Sequence, residues 1–172
     1  MPIADPRERY DDLRVTESRE TLSPEEFAEA AGSEPARVGW VVLAFAFDDA
    51  GRVLLVEQPW ADGWLAPGGV PRPGESLREA VVREVREETG VEISPTRPHA
   101  IDEYTAVDER SGETGGWTTV VFGARADTTA VADDPGLADE EITAVDWFDD
   151  LPAVFDPDVA EPAYRRCLES LY

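Results

Sequence analysis

The stretch from Ser76 to Gly90, SLREAVVREVREETG, limits the fold more than any other part of the chain. Ser76 can cap a helix and Glu79, three residues on, can close a capping box. Leu77, Ala80, Val81 and Val85 recur at helical spacing, and Gly90 just past Thr89 supplies a left-handed C-terminal stop. So short a helix is marginal alone, so its apolar stripe must lie on something flat and hydrophobic. The sequence supplies that surface in β-branched and aromatic runs: VGWVVLAFAF ending at Phe47, Val53 to Val56, Ala100 to Val107, Trp117 to Ala126 and Ile142 to Trp147. The turn Asp48-Asp49-Ala50-Gly51 joins the first two as a hairpin, Gly63-Trp64-Leu65 is a short strand candidate, and residues 13–19 alternate loosely enough for one more. Further helices are expected from Ser23 to Gly32, and over Ala163 to Leu171 with Pro162 opening the second. Strands interleaved with helices over 172 residues predict one α/β domain, a mixed sheet with helices on its faces. Residues 1–36 read as a strand/helix extension packed on a domain spanning 37–172.

Charge narrows the partners. Fifteen basic against 38 acidic residues give a net charge of -23, while a 42% hydrophobic content with five Trp excludes a disordered acidic tail. A surface this negative repels phosphate backbones and anionic lipid, so neither duplex nucleic acid nor a membrane is expected as partner. A cation is favoured. All fifteen basic residues are Arg and none is Lys, which reads as a halophilic surface adapted to molar salt, with GC-rich coding as the alternative source of the bias. Cys167 is the single cysteine, the N-terminal residues lack the apolar core of a signal peptide, and no apolar run of about 18 residues occurs. The expectation is a cytoplasmic protein.

The acidic side of the Ser76 helix holds the chemistry. Glu84, Glu87 and Glu88 fall inside an arc of about 100° at helical geometry. Carboxylates so crowded repel unless a cation joins them, and hard divalent ions such as Mg²⁺ or Mn²⁺ select oxygen ligands. Arg83 stands four residues before Glu87 and can hold it, and Gly68-Gly69 lets backbone approach a metal or phosphate closely. By charge spacing alone, the same residues also read as a solvated helix face.

The full spacing, Gly69, Glu75, Arg83-Glu84-Val85, Glu87-Glu88, Gly90-Val91, resembles the Nudix box at all nine of its defined positions. The approach Gly63 to Gly69 and the run Ile142 to Phe148 are also similar to that family. The resemblance implies an α/β/α sandwich around a mixed sheet, the box forming a loop-helix-loop. It also implies Mg²⁺- or Mn²⁺-dependent hydrolysis of a diphosphate linkage in a nucleoside diphosphate derivative, a small-molecule substrate. Carried onto this chain, Glu84, Glu87 and Glu88 bind the metal, the Gly68 carbonyl is an added ligand, Glu75 supports the site and Arg83 orients Glu87. The general base is Glu84 or, on the loop before the last strand, Glu140 or Glu141. Trp64, Tyr104 and Trp117 are candidates to stack on a base, and Arg52 and Arg72 to meet phosphate; each also reads as ordinary core or surface. His99 reads as structural, and residues 1–36 either line the substrate pocket or form a homodimer interface. Two other functions compete. One is a Nudix-like domain that senses a nucleotide without cleaving it; the other is an isopentenyl-diphosphate isomerase, which needs a cysteine in the sheet region where Cys167 is badly placed.

Overall fold

The structure, a computed structural model, describes residues 2–133 and 142–171. After a short 3₁₀ turn at Pro6–Glu8 come strand β1 (Arg14–Leu22) and helices α1 (Pro24–Ala31) and α2 (Glu34–Val38). Then follow β2 (Trp40–Phe47), β3 (Val53–Glu57), β4 (Gly68–Gly69), helix α3 (Leu77–Thr89), β5 (Ile93–Asp108), β6 (Thr114–Ala126), β7 (Ala144–Phe148) and helix α4 (Pro157–Glu169). The sheet runs β1-β5-β6-β2-β3-β7, with β4 beside β2, and it mixes parallel pairs (β1 with β5, β2 with β6) with antiparallel ones.

Side-chain alternation along β2 separates the two cores. Val42, Ala44 and Ala46 point to one face, where Leu77, Val81 and Val85 of α3 pack on them. Phe45 and Phe47 point to the other, against Ala163, Tyr164 and Cys167 of α4. Each fully buried Leu or Val on these faces contributes about 1.5–3 kcal/mol, which is what holds two 13-residue helices that would not persist alone. The result is the expected three-layer α/β/α sandwich around a mixed sheet. Among the described residues no helix is long and apolar enough to cross a membrane.

The expected β2–β3 hairpin closes only at its tip, where Phe47 pairs with Val53. Beyond that the strands splay, because Leu65 bridges to Val56 while Gly68 and Gly69 pair with Leu43 and Val42. The Gly-Gly pair thus enters the sheet as a fragment of strand, a role that its loop-like composition conceals. Gly68 is obligatory there: a Cβ would lie 1.9 Å from the Val42 carbonyl oxygen.

Two boundaries and one added element stand out against expectation. Strand β5 starts at Ile93 rather than Ala100, since register shifts after Pro95 and after Pro98 absorb both prolines as bulges. Helix α4 opens at Pro157, after Asp156 in a left-handed conformation (φ 49°), and carries Pro162 inside it. Burial of Ala163, Tyr164 and Cys167 outweighs the hydrogen bond that Pro162 removes. Helix α2 is an addition to the expected elements; the Ser33 side chain caps it and left-handed Gly39 ends it.

Candidate active site

Helix α3 has the ends its sequence announces. Ser76 Oγ accepts from the Glu79 amide while the Glu79 carboxylate accepts from the Ser76 amide, each at 3.1 Å, and Gly90 (φ 80°) stops the last turn. With the ends fixed and Leu77, Ala80, Val81 and Val85 turned to the sheet, Glu84 and Glu88 have little freedom of placement. They fall on the boundary of the buried stripe and are themselves 6% and 2% exposed. Beside them lies β4. The Gly68 amide donates to Glu88 Oε2 at 3.4 Å, and Gly69 lies so close to Glu84 that a Cβ would stand 2.4 Å from its carboxylate carbon. The two glycines therefore cradle the two buried carboxylates.

Arg83 binds the box together. Its Nε and Nη2 donate to the two oxygens of Glu75 at 2.7 and 2.8 Å, a bidentate pair. Its Nη1 reaches Glu84 Oε1 at 2.9 Å and Glu87 Oε2 at 3.2 Å, and Nη2 also donates to the Val70 carbonyl at 3.1 Å. The expected Arg83–Glu87 contact is thus the longest of three ion pairs, and Glu75 takes most of the guanidinium. Arg83 beside it holds the Glu75 carboxyl below the usual range against the opposing effect of burial, helped by the Arg72 amide, which donates at 2.8 Å. Arg72 Nη2 meets the more exposed Glu87 at 3.2 Å.

Glu84, Glu88, Gly68 and Gly69 line one wall of a cleft of about 1120 Å³. Its floor is the α4-side face of the sheet, left uncovered because α4 begins only at Pro157. Trp64, Tyr104 and Trp117 all line it. Tyr104 and Trp117, paired across β5 and β6, stack with centroids 4.6 Å apart, and burial with the neighbouring Glu20 carboxylate pushes the Tyr104 hydroxyl up to about 12. Trp64 meets Phe148 edge-on at 4.8 Å. Arg52 does not line the cleft: at the β2–β3 turn it pairs with Asp48 at 2.7 Å and lies over Trp147, because the turn carboxylate is its nearest partner. Arg72 is outside the cleft lining too, engaged by Glu87. Glu140 and Glu141 lie outside the described residues.

Asp102, Trp60 and Phe155 line the same cleft, although no sequence motif singles them out. Asp102 is 7% exposed on the floor, its Oδ1 accepting from Thr16 at 2.6 Å and Ser18 at 2.9 Å across the β1–β5 pair. Its sequence signal is no more than half of an acidic pair, Asp102-Glu103, in an otherwise strand-like run. Cys167, by contrast, is fully buried in the α4 core and pushed up to about 12 by that burial, so it offers no thiolate to the cleft.

Carboxylate oxygens are the donor type that hard divalent cations select. Three carboxylates stand on one flank of a helix beside a glycine cradle that only a Cβ-free backbone permits. Among the described residues no three acidic, His or Cys side chains are gathered round one point, since Arg83 and Arg72 draw Glu75 and Glu87 to themselves.

The NUDIX domain profile matches residues 37–169, three-quarters of the chain. The chain belongs to the Nudix family. Among curated relatives, the 8-oxo-dGDP phosphatase of Homo sapiens is 32% identical over 127 residues, covering 69% of this chain and 36% of that protein. An uncharacterised Nudix hydrolase of Bacillus subtilis is 52% identical over 42 residues, 24% of this chain and 27% of the relative. The chain thus spans about a third of the length of these relatives. Among solved structures, an ADP-ribose pyrophosphatase from Streptococcus suis aligns with a TM-score of 0.54 at 21% identity, covering 77% of this chain and 90% of that one. The fold of the Nudix neighbours is therefore the fold seen here.

Proposed function

We propose that this chain is a divalent-metal-dependent hydrolase that splits a diphosphate linkage in a nucleoside diphosphate derivative, releasing a nucleoside monophosphate and a phosphorylated second product or pyrophosphate. One observation carries the reading: two helix-borne carboxylates, Glu84 and Glu88, are buried against a Gly-Gly fragment of strand at the wall of a cleft whose floor bears a stacked aromatic pair. Relatives named for 8-oxo-dGDP, CTP, ADP-ribose and UDP-linked substrates support the reaction class.

Glu84, Glu87 and Glu88, with the Gly68 carbonyl, would hold Mg²⁺ or Mn²⁺, which when bound would neutralise charge on the diphosphate and make the attacking water more acidic. Arg83 keeps Glu84 and Glu87 aligned and is itself fixed by Glu75. Glu84, facing the cleft, takes the proton of the attacking water. Tyr104 and Trp117 stack on the nucleobase and Trp64 closes the side of the cleft, excluding water around the linkage. The chain works in a salty cytoplasm, where ions screen the charge that Arg alone balances.

The test is a panel of nucleoside triphosphates, ADP-ribose, dinucleoside polyphosphates and nucleotide sugars at molar KCl, with Mg²⁺ or Mn²⁺ and with chelator. Metal-dependent release of a nucleoside monophosphate from at least one of them is expected. Binding of the panel with no bond cleaved under any metal condition contradicts the proposal.

A further inference from the structure

The cleft holds a second aromatic pair that the nucleotide reading does not use. Trp60, from the loop between β3 and β4, and Phe155, from the loop between β7 and α4, meet edge to face with centroids 5.3 Å apart, and both line the cleft. Their loops are tied together: the Trp64 amide donates to the Ala153 carbonyl at 3.0 Å, and the Phe155 amide to the Trp64 carbonyl at 2.9 Å. The two loops that carry the rings are therefore joined backbone to backbone next to the pair.

Its exposure is the second observation. Trp60 is 67% exposed, and only four large hydrophobic residues are exposed among those described, two of them in this pair. Leaving an indole and a phenyl ring in water forfeits burial energy. An exposed aromatic patch at a cleft mouth marks a ligand contact.

Position in the sheet says which ligand. Tyr104 and Trp117 belong to β5 and β6, on one side of β2, while β4 pairs with β2 on its other side, where Leu65, in the loop that carries Trp60, bridges to Val56 of β3. Gly68 and Gly69, with Glu84 against Gly69, thus lie across β2 from Tyr104–Trp117 and on the same side of β2 as the loop that carries Trp60. From β5 to β4 is three strand spacings, roughly 14 Å. A cleft of about 1120 Å³ is slightly larger than the usual range of small-ligand sites, about 300–1,000 Å³. A nucleoside triphosphate or a nucleotide sugar brings one flat ring and leaves one platform in water.

Resting on the hydrolase reading above, we propose that the substrate is a dinucleotide, two nucleosides joined through a diphosphate, with one base on Tyr104–Trp117 and the other on Trp60–Phe155. Water attacks one phosphorus, its bond to the bridging oxygen breaks, that oxygen leaves with the other phosphate, and the products are two nucleoside monophosphates.

Diadenosine diphosphate and ADP-ribose isolate the second platform, since they differ only by the second adenine. The experiment measures kcat/KM for both on the wild type, Trp60→Ala and Trp60→Phe, in Mg²⁺ at molar KCl, with circular dichroism to confirm the fold. Stacking of one base is worth about 1–3 kcal/mol, so the wild type should favour the dinucleotide by about tenfold or more. Trp60→Ala should lower the ratio of the two kcat/KM values by about the same factor, and Trp60→Phe should recover most of it. Hydrolysis of ADP-ribose with a wild-type ratio near one, or a ratio that Trp60→Ala leaves unchanged, overturns this proposal and spares the hydrolase. Turnover of neither compound overturns the hydrolase for these linkages; calorimetric dissociation constants of the same pair on wild type and Trp60→Ala then decide the second platform by the same ratio.

Discussion

Replacing Gly69 by Ala should abolish most of the activity while leaving the fold intact, whereas the neighbouring Gly68→Ala should disrupt the local fold and, with it, the activity. A Cβ on Gly69 would stand 2.4 Å from the Glu84 carboxylate carbon and 2.6 and 2.7 Å from its two oxygens, whereas ordinary contacts need about 3.5–4.0 Å. No backbone atom is among those neighbours, so the strain is relieved by moving one side chain. The carboxylate must shift by about 1 Å, off a position that Arg83 holds at 2.9 Å. A misplacement of that size at a reacting centre costs about 10²-fold in rate. The overpacking itself costs about 1–3 kcal/mol, or roughly 2–12 °C in Tm for a chain of this size. On Gly68 the same methyl would meet the Val42 carbonyl oxygen at 1.9 Å and the Leu43 Cα at 2.8 Å. Those atoms belong to β2, clamped by β6 on its other edge, so the pairing of β4 with β2 must break instead. Thermal unfolding by circular dichroism and turnover of ADP-ribose, both at molar KCl, separate the two effects. A folded Gly69→Ala protein with kcat within threefold of wild type would refute the claim that Glu84 works from the position the glycine permits.

Arg83→Met should lower stability by about 3–5 kcal/mol, read as a denaturant midpoint, because it strands the carboxylates of Glu75 and Glu84, whose side chains are mostly buried; a loss within 1 kcal/mol would mean that the network is ornamental. His99 is buried with Nε2 lacking a hydrogen bond among the described residues, and burial first, then Arg97 and Arg166, holds its pKa below the ordinary 6.5. The unfolded chain therefore binds the extra proton first, so stability is full above pH 6.5 and falls as pH drops from there through the lower native value; His99→Phe should flatten that part of the profile, and an unchanged slope would assign the acid sensitivity elsewhere. If the all-Arg, net -23 composition is a salt adaptation, circular dichroism at low NaCl should show loss of structure that molar NaCl restores, and full structure at very low salt would contradict it.

Whether a feature is legible in the sequence depends on whether its cause is local. The capping box at Ser76, the stop at Gly90 and the flank shared by Glu84, Glu87 and Glu88 depend on spacings of three or four residues, so the amino-acid order alone announces them. Strand identity is equally plain in β2, apolar throughout, and in β6, where Trp117 to Phe122 are all β-branched or aromatic. The strand fragment at Gly68–Gly69 is not, because its reason is a carbonyl of β2 more than twenty residues away. Partner choice escapes local reading for the same cause. Helical spacing points Arg83 at Glu87, but Glu75 in the preceding loop offers two oxygens in a fork, and only the folded loop brings it there. Arg52 looks available to phosphate in the sequence, yet its own turn holds Asp48 four residues away. Asp102, Trp60 and Phe155 become neighbours of the box only through sheet order and two crossing loops, which no local pattern encodes.

Whether Glu84, Glu87 and Glu88 form a divalent-cation site on which hydrolysis depends is tested most directly by titrating Mn²⁺ into wild type, Glu84→Gln and Glu87→Gln. The ion's own electron paramagnetic resonance signal reports binding, and turnover is measured on the same samples. Each variant should bind Mn²⁺ at least tenfold more weakly and lose two orders of magnitude or more in kcat, with an unfolding midpoint near that of the wild type. Wild-type Mn²⁺ affinity together with wild-type-like turnover in both variants would contradict such a site.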